Sequence, residues 1–260
     1  MSGPTNQPAI VAFADLDDTL FQTLRKLPGI DPHTLTPATV STRGEAHSFC
    51  TPAQAELLRL LACGGVTVIP VTGRDLAAMA RVTLSFTSWK IVDHGLTLIA
   101  PDGEVETEWA GHVRVHLHDL QEALAAATAH LEARAQRLGC RLTRHHAHDL
   151  PFMTVLKHPD AHAEALEELQ LRWEAFLTDQ GLENLQIIAN ANNVSVLPRL
   201  LGKLEAVQHL RQRHFSDAVL TFGLGDSLSD LAFMSACDFA ITPPRGQLLR
   251  AVNAARLPQR

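Results

Sequence analysis

Short apolar runs without helical spacing punctuate the chain, and each is followed by polar residues. Ile10 to Ala14 stops at Asp15, Val66 to Val71 stops at Thr72, and Ala218 to Phe222 leads into Gly223-Leu224-Gly225-Asp226. Runs this short, with no alternation, suit strands covered on both faces, as in a parallel sheet. Helical patterns lie between them. Pro52 to Cys63 places Ala55, Leu57, Leu58 and Leu61 at helical intervals before Gly64-Gly65 stops it, and a further helical stretch starts at Asp75. Strands alternating with helices imply right-handed crossovers and a parallel sheet with helices on both faces.

The middle of the chain reads differently. Leu96 to Ala100 and Glu104 to Trp109, joined by Pro101-Asp102-Gly103, predict a hairpin. A long Ala/Leu helix follows from about Asp119 to Leu138, then strands over Arg141 to His148 and Phe152 to His158. A second helix covers about Asp160 to Thr178, and Leu185 to Ala189 and Val194 to Leu197 read as extended. The order α-β-β-α-β-β describes a small α+β domain. The expected fold is therefore α/β, a Rossmann-like three-layer core with a parallel sheet, made of residues 1–111 and 198–260. An α+β cap domain of residues 112–197 would be inserted in it.

Composition narrows the function classes. Hydrophobic residues make up 46% and charged residues 19%, as in an ordinary globular protein. A formal net charge of −6, with the basic residues scattered, argues against nucleic acid and anionic membranes as partners. No apolar run reaches the roughly 18 residues that a membrane span needs. Met1 to Ala9 is polar, carries two prolines and lacks the basic and apolar regions of a signal peptide, so it reads as a disordered lead-in. Cys50, Cys63, Cys140 and Cys237 form no C-x-x-C pair, and reduced thiols in the cytoplasm are expected. Oligomeric state is not legible.

Ligands of open parallel sheets bind beyond the carboxyl ends of the strands. That rule brings together Asp15, Asp17 and Asp18 after the first run, Thr72 after the second, and Asp226 and Asp230 after the last, with Lys203 supplied by a helix starting near Gly202. Several carboxylates in one cleft repel by several kcal/mol if desolvated, unless a cation sits among them. A hard divalent ion with oxygen ligands resolves the conflict, and magnesium is the natural choice.

Asp15-Leu16-Asp17-Asp18-Thr19, Thr72-Gly73-Arg74, Lys203 and Gly225-Asp226-Ser227-Leu228-Ser229-Asp230 resemble the four ordered motifs of the haloacid dehalogenase superfamily. With an insert between the second and third, the pattern is similar to the sugar-phosphatase branch with a type-two cap, which includes sucrose, trehalose and mannosylphosphoglycerate phosphatases. The resemblance implies that Asp15 attacks phosphorus and forms a phospho-aspartate. Asp17 would protonate the leaving alkoxide and then deprotonate water. Thr72, Gly73 and Lys203 would hold the phosphoryl oxygens. Asp15, the backbone carbonyl of Asp17, Asp226 and Asp230 would hold or orient Mg2+, and Arg74 and Ser229 are possible substrate contacts. The expected substrate is a small phosphoester, best a sugar phosphate, and the cap would select it. Two differences from the usual pattern stand out: Leu204 follows the lysine where glycine is common, and Ser229 stands where asparagine is common. Asp17 separates this chemistry from dehalogenases, which need no proton donor. A phosphatase for a phosphoglycerate derivative, a phosphomutase and a non-catalytic phosphate-sensing protein are the alternatives.

Other polar clusters have plainer readings. His145, His146 and His148 fit an exposed strand better than a metal site, because only His146 and His148 share a strand face. Glu164 to Glu174 fits a solvated helix face. Asn190, Asn192 and Asn193 suit a turn, with sugar hydroxyls as the other possible partners.

Overall fold

The computed structural model of the protein describes residues 9–190 and 192–256. The segment read as a lead-in, Met1 to Ala9, lies outside these residues except for Ala9. The chain divides into two compact units. Residues up to Glu106 join those from Lys203 onward, and Thr107–Gly202 form the second.

The first unit is built on β1 (Ile10–Ala14), followed by β2 (Gln22–Thr23), β3 (Thr36–Val40), β4 (Ala46–Cys50) and α1 (Pro52–Cys63). After these come β5 (Thr67–Pro70), α2 (Leu76–Met79), β6 (Lys90–Val92) and β7 (Thr97–Ile99). The chain then passes through the second unit, made of α3 (Thr107–Arg137), β8 (Arg141–Ala147), β9 (Leu150–Lys157), α4 (Ala163–Asp179), β10 (Leu185–Asn190) and β11 (Asn193–Pro198). It returns to the first unit with α5 (Lys203–His214), β12 (Leu220–Leu224), α6 (Leu231–Ser235), β13 (Phe239–Ile241) and α7 (Gln247–Arg256).

Four parallel strands, in the order β13-β12-β1-β5, form the main sheet of the first unit. Central β1 is Val11, Ala12, Phe13 and Ala14 at zero exposure, which explains why its sequence shows no alternation. Fully burying a large apolar side chain such as Phe13 or Phe21 contributes about 1.5–3 kcal/mol. Ala14 pairs in register with Leu224 and with Pro70, so the residues just after the three strands stand side by side. Helix α1 starts with a capping box: Thr51 accepts from the Gln54 backbone while Gln54 reaches back, and Pro52 fills the first turn.

The second unit has one antiparallel sheet, in the order β10-β11-β9-β8. Leu120, Leu124 and Leu131 of α3 and Leu169 and Trp173 of α4 pack with Leu156, Val194 and Val196 of the sheet in one core. Trp173 is fully buried, and its indole N–H donates to the Ala127 carbonyl at 2.7 Å, so the apolar ring enters the core without an unpaired donor. The face expected around Glu164 to Glu174 is solvated, with Glu164, Glu167 and Glu174 exposed, and on it Glu168 is held by Arg134 of α3 and by Arg172.

Several elements differ from the sequence reading. The second unit begins at Thr107 rather than 112 and ends at Gly202 rather than 197. The strand expected over Glu104 to Trp109 is reduced to a bridge between Val105 and Ile99, and helix α3 already starts at Thr107. Trp109, Val113, Leu117, Leu120 and Leu124 are all buried at helical intervals, and that packing overrides the extended preference of Val105 and Trp109. Strand β7 pairs with β6 instead. Residues 22–50 form a three-stranded sheet in the order β2-β4-β3, which no hydrophobic pattern in the sequence announces.

Candidate active site

The site grows from the carboxyl ends of the parallel strands. Asp15 follows β1, and its backbone N–H donates to Leu224 O at 2.8 Å, tying it to β12. Beyond it the chain turns tightly: Leu20 and Phe21 N–H return to Leu16 O, and Asp18 N–H reaches Phe21 O with Asp18 in the left-handed region at φ 66°. The Asp15 carboxylate is therefore held on rigid backbone, 6% exposed, with the Thr19 hydroxyl donating to Oδ2 at 3.1 Å.

Lys203, the first residue of α5, reaches into the same place. Its ammonium donates to Asp15 Oδ1 at 2.7 Å and to Asp230 Oδ1 at 2.6 Å, and Asp230 is fully buried. Asp230 accepts on its other oxygen from the Ser227 backbone N–H at 3.0 Å and from the Ser227 hydroxyl at 2.7 Å. Burial disfavours the Lys203 ammonium, but the two carboxylates outweigh it and raise its pKa above the usual lysine value. Asp15 is pushed up to about 7 by burial, against the pull of Lys203, with Asp230 and Asp17 adding to the rise.

Asp226, after β12, is half-buried. Burial first, and then the charges of Asp18 and Asp230, push its carboxyl up to about 6; the Gln247 backbone N–H and the Lys26 ammonium oppose that. The start of α7 clamps this loop. Leu248 N–H donates to Asp226 O at 2.9 Å, and Gln247 Oε1 accepts from Leu228 N–H at 3.1 Å. The approach is close enough to require glycine at 246, where a Cβ would meet Asp226 atoms at 2.9–3.1 Å.

Asp15, Asp226 and Asp230 can each present an oxygen within 4.8 Å of the others, and among the described residues this is the one group with such spacing. Carboxylates converging on one point, with Asp226 pushed upward by burial and then by its neighbours, fit a hard divalent cation. The Asp17 side chain stands outside that group. It is exposed, and Arg74 grips it with Nε to Oδ2 and Nη2 to Oδ1, both at 2.7 Å. Thr72 is 1% exposed, and its hydroxyl accepts from Arg74 N–H at 3.1 Å. Gly73 lies between them. Ser229 is exposed, and its hydroxyl is 2.8 Å from that of Ser227. Asp15, Asp17, Thr72, Gly73, Arg74, Lys203, Asp226, Ser229 and Asp230 all fall within the first unit.

Four neighbours were not singled out in the sequence. Lys26 forms an ion pair with Asp18. Gln247 and Gly246 clamp the last loop, and His94 packs on Gly73. Only the Gly-Gln pair before an amphipathic run carried a local signal, as a helix start. Asn190, Asn192 and Asn193 bond among themselves in the β10–β11 turn. His145, His146 and His148 join no ligand group among the described residues.

No family model matches the sequence, and no curated protein matches it. Solved structures do. The C-terminal domain of trehalose-6-phosphate phosphatase from C. albicans is 16% identical, covering 88% of this chain and 73% of its own, at a TM-score of 0.59. The sucrose-phosphatase from Synechocystis sp. PCC6803, solved with sucrose and phosphate, is 15% identical over 95% of this chain and 98% of its own, at 0.53. A Thermoplasma acidophilum protein is 15% identical over 90% and 92%, at 0.51. The likeness is one of fold: an α/β core with a parallel sheet and an α+β insert. Among the described residues no helix is long and apolar enough to cross a membrane.

Proposed function

We propose that this protein is a magnesium-dependent phosphomonoester hydrolase that works through a phospho-aspartate on Asp15. The observation that carries the reading is the buried Asp15 carboxylate, held by Thr19 and Lys203 at the end of β1 beside Asp226 and Asp230. A carboxylate placed this way has no packing role that a leucine would not fill better, and its burial and charge neighbours tune it as reactive groups are tuned.

Asp15 attacks phosphorus, the new P–O bond forms, and the bond to the leaving oxygen breaks. The departing alkoxide takes a proton from Asp17, whose side chain is 53% exposed and aimed by Arg74. Water then attacks the phospho-aspartate, gives a proton to Asp17, and releases orthophosphate as the Asp15–P bond breaks. Lys203 offsets charge on the transferring group, and Thr72 and Gly73 cradle its oxygens. Asp15, Asp226 and Asp230, with the Asp17 carbonyl, would hold Mg2+, which neutralises phosphoryl charge when bound.

A sugar phosphate is the proposed substrate. Two proteins of like fold are named for trehalose 6-phosphate and sucrose phosphate, and the Thr107–Gly202 insert is the proposed specificity element. Turnover of phosphorylated sugars, glycerates and nucleotides, with magnesium and with excess chelator, tests the proposal. Orthophosphate release is expected with a sugar phosphate as the best substrate and is expected to stop in chelator. No hydrolysis of any phosphomonoester in magnesium contradicts it.

A further inference from the structure

Directly after β6 the backbone enters the left-handed region three times in succession, at Asp93 (φ 51°), His94 (φ 57°) and Gly95 (φ 106°). Two adjacent residues with side chains in that region are strained, and such strain persists where the surroundings over-determine it, most often beside functional sites. This turn is tied to the segment that ends β5. Asp93 N–H donates to Arg74 O at 2.8 Å and His94 N–H to Thr72 O at 3.1 Å, while Thr72 N–H donates to Ile91 O at 2.9 Å. The strained conformation also delivers a ring. A Cβ built on Gly73 would lie 2.4 Å from His94 Cε1, 2.6 Å from Nε2 and 3.0 Å from Nδ1, so the imidazole lies against the Gly73 backbone itself.

We propose that His94 is a positioning residue for the phosphoryl-binding turn, its ring bracing Gly73 so that Thr72 and the Gly73 backbone keep one orientation. The proposal rests on the reading of Thr72-Gly73-Arg74 as that turn. Hydrogen bonds to Thr72 O and Arg74 O fix the two ends of the segment, and the ring lies against its glycine, the most permissive residue of the three. An unbraced glycine would let the oxygen cradle drift, and a misplacement of about 1 Å is enough to weaken a transferring site severely.

Two variants separate bracing from general structural support. Asparagine tolerates the left-handed region but has no ring, whereas phenylalanine keeps a ring and is strained there. His94→Asn is therefore expected to melt close to wild type yet bind inorganic phosphate about tenfold more weakly in magnesium buffer, with KM rising more than kcat falls. His94→Phe is expected to melt lower while keeping phosphate affinity near wild type. Calorimetric titration with inorganic phosphate, alongside thermal melts, reads both. Wild-type phosphate affinity in His94→Asn, or affinity losses that simply follow melting temperature across the two variants, overturns the proposal. Failure of the wild-type protein to bind inorganic phosphate overturns the phosphoryl-site reading itself, and the role of His94 with it.

Discussion

Arg74 holds the Asp17 carboxylate in a two-pronged grip, with both hydrogen bonds at 2.7 Å. The guanidinium is itself restrained: its side chain is 17% exposed and its charge sits 5.2 Å from the centre of the Phe21 ring. Such fork-to-fork pairs fix direction as well as charge. Arg74→Ala is expected to leave Asp17 free to rotate and to lower turnover of alkyl phosphates by about tenfold or more. Aryl phosphates, whose leaving groups need little protonation, are expected to lose much less. Equal losses on both ester classes would show that Arg74 acts on something other than the proton donor.

Lys203 offers a test of the buried charge network. Lys203→Met removes the shared cation and leaves Asp15 and Asp230 facing each other in a site almost closed to water. Breaking a buried pair from one side costs about 3–5 kcal/mol. A metal-free melt or denaturant titration is expected to show a loss of that order, partly recovered in magnesium, together with loss of turnover. A variant as stable as wild type without metal would mean that the network is solvated.

The site also predicts how metal binding follows pH. Without metal, Asp15 titrates at about 7 and Asp226 at about 6, both raised, so the folded protein holds protons there that the ion must displace. Magnesium affinity is expected to rise with pH through that range and to level off above about 7, with protons released into the buffer on binding. Without metal the same raised values act the other way on stability. Both groups contribute a loss as pH climbs from the ordinary aspartate range through about 6 and about 7. Calorimetry in buffers of different ionisation enthalpy counts the protons. A magnesium affinity independent of pH between about 5 and 8 would contradict this assignment of the ligands.

Much of the fold and of the candidate site's placement was legible because the candidate residues sit where strands end. Ile10 to Ala14 is buried on both faces and stops at a charged residue, so strand and site are written in one stretch of chain. Asp226 and Thr72 follow the same rule, although β12 runs two residues later than the apolar pattern suggests, since Gly223 and Leu224 continue the ladder. What stayed hidden depends on contacts distant in sequence. Gln247 acts through its backbone and one amide oxygen on a loop some twenty residues earlier, and no pattern of residue types encodes that. Strands β2 to β4 are short and mixed in polarity, so residues 22–50 carried no periodic signal. The start of α3 was misread because Val105 and Trp109 favour strands locally, while burial on one helix face decided the outcome.

The central claim is that Asp15 is the residue that takes the phosphoryl group. Asp17→Asn keeps that carboxylate but can neither donate nor accept the proton, which removes about 10²–10⁴-fold of help from both steps. An aryl or acyl phosphate needs little protonation to leave, so the first step still proceeds and the second stalls. Rapid quenching of Asp17→Asn with such a substrate and magnesium, followed by mass spectrometry of its peptides, is expected to find one added phosphoryl group on Asp15. The Asp15→Asn protein is expected to show none and no turnover. A phosphoryl group on any other residue, or near-normal turnover in Asp15→Asn, would contradict the account.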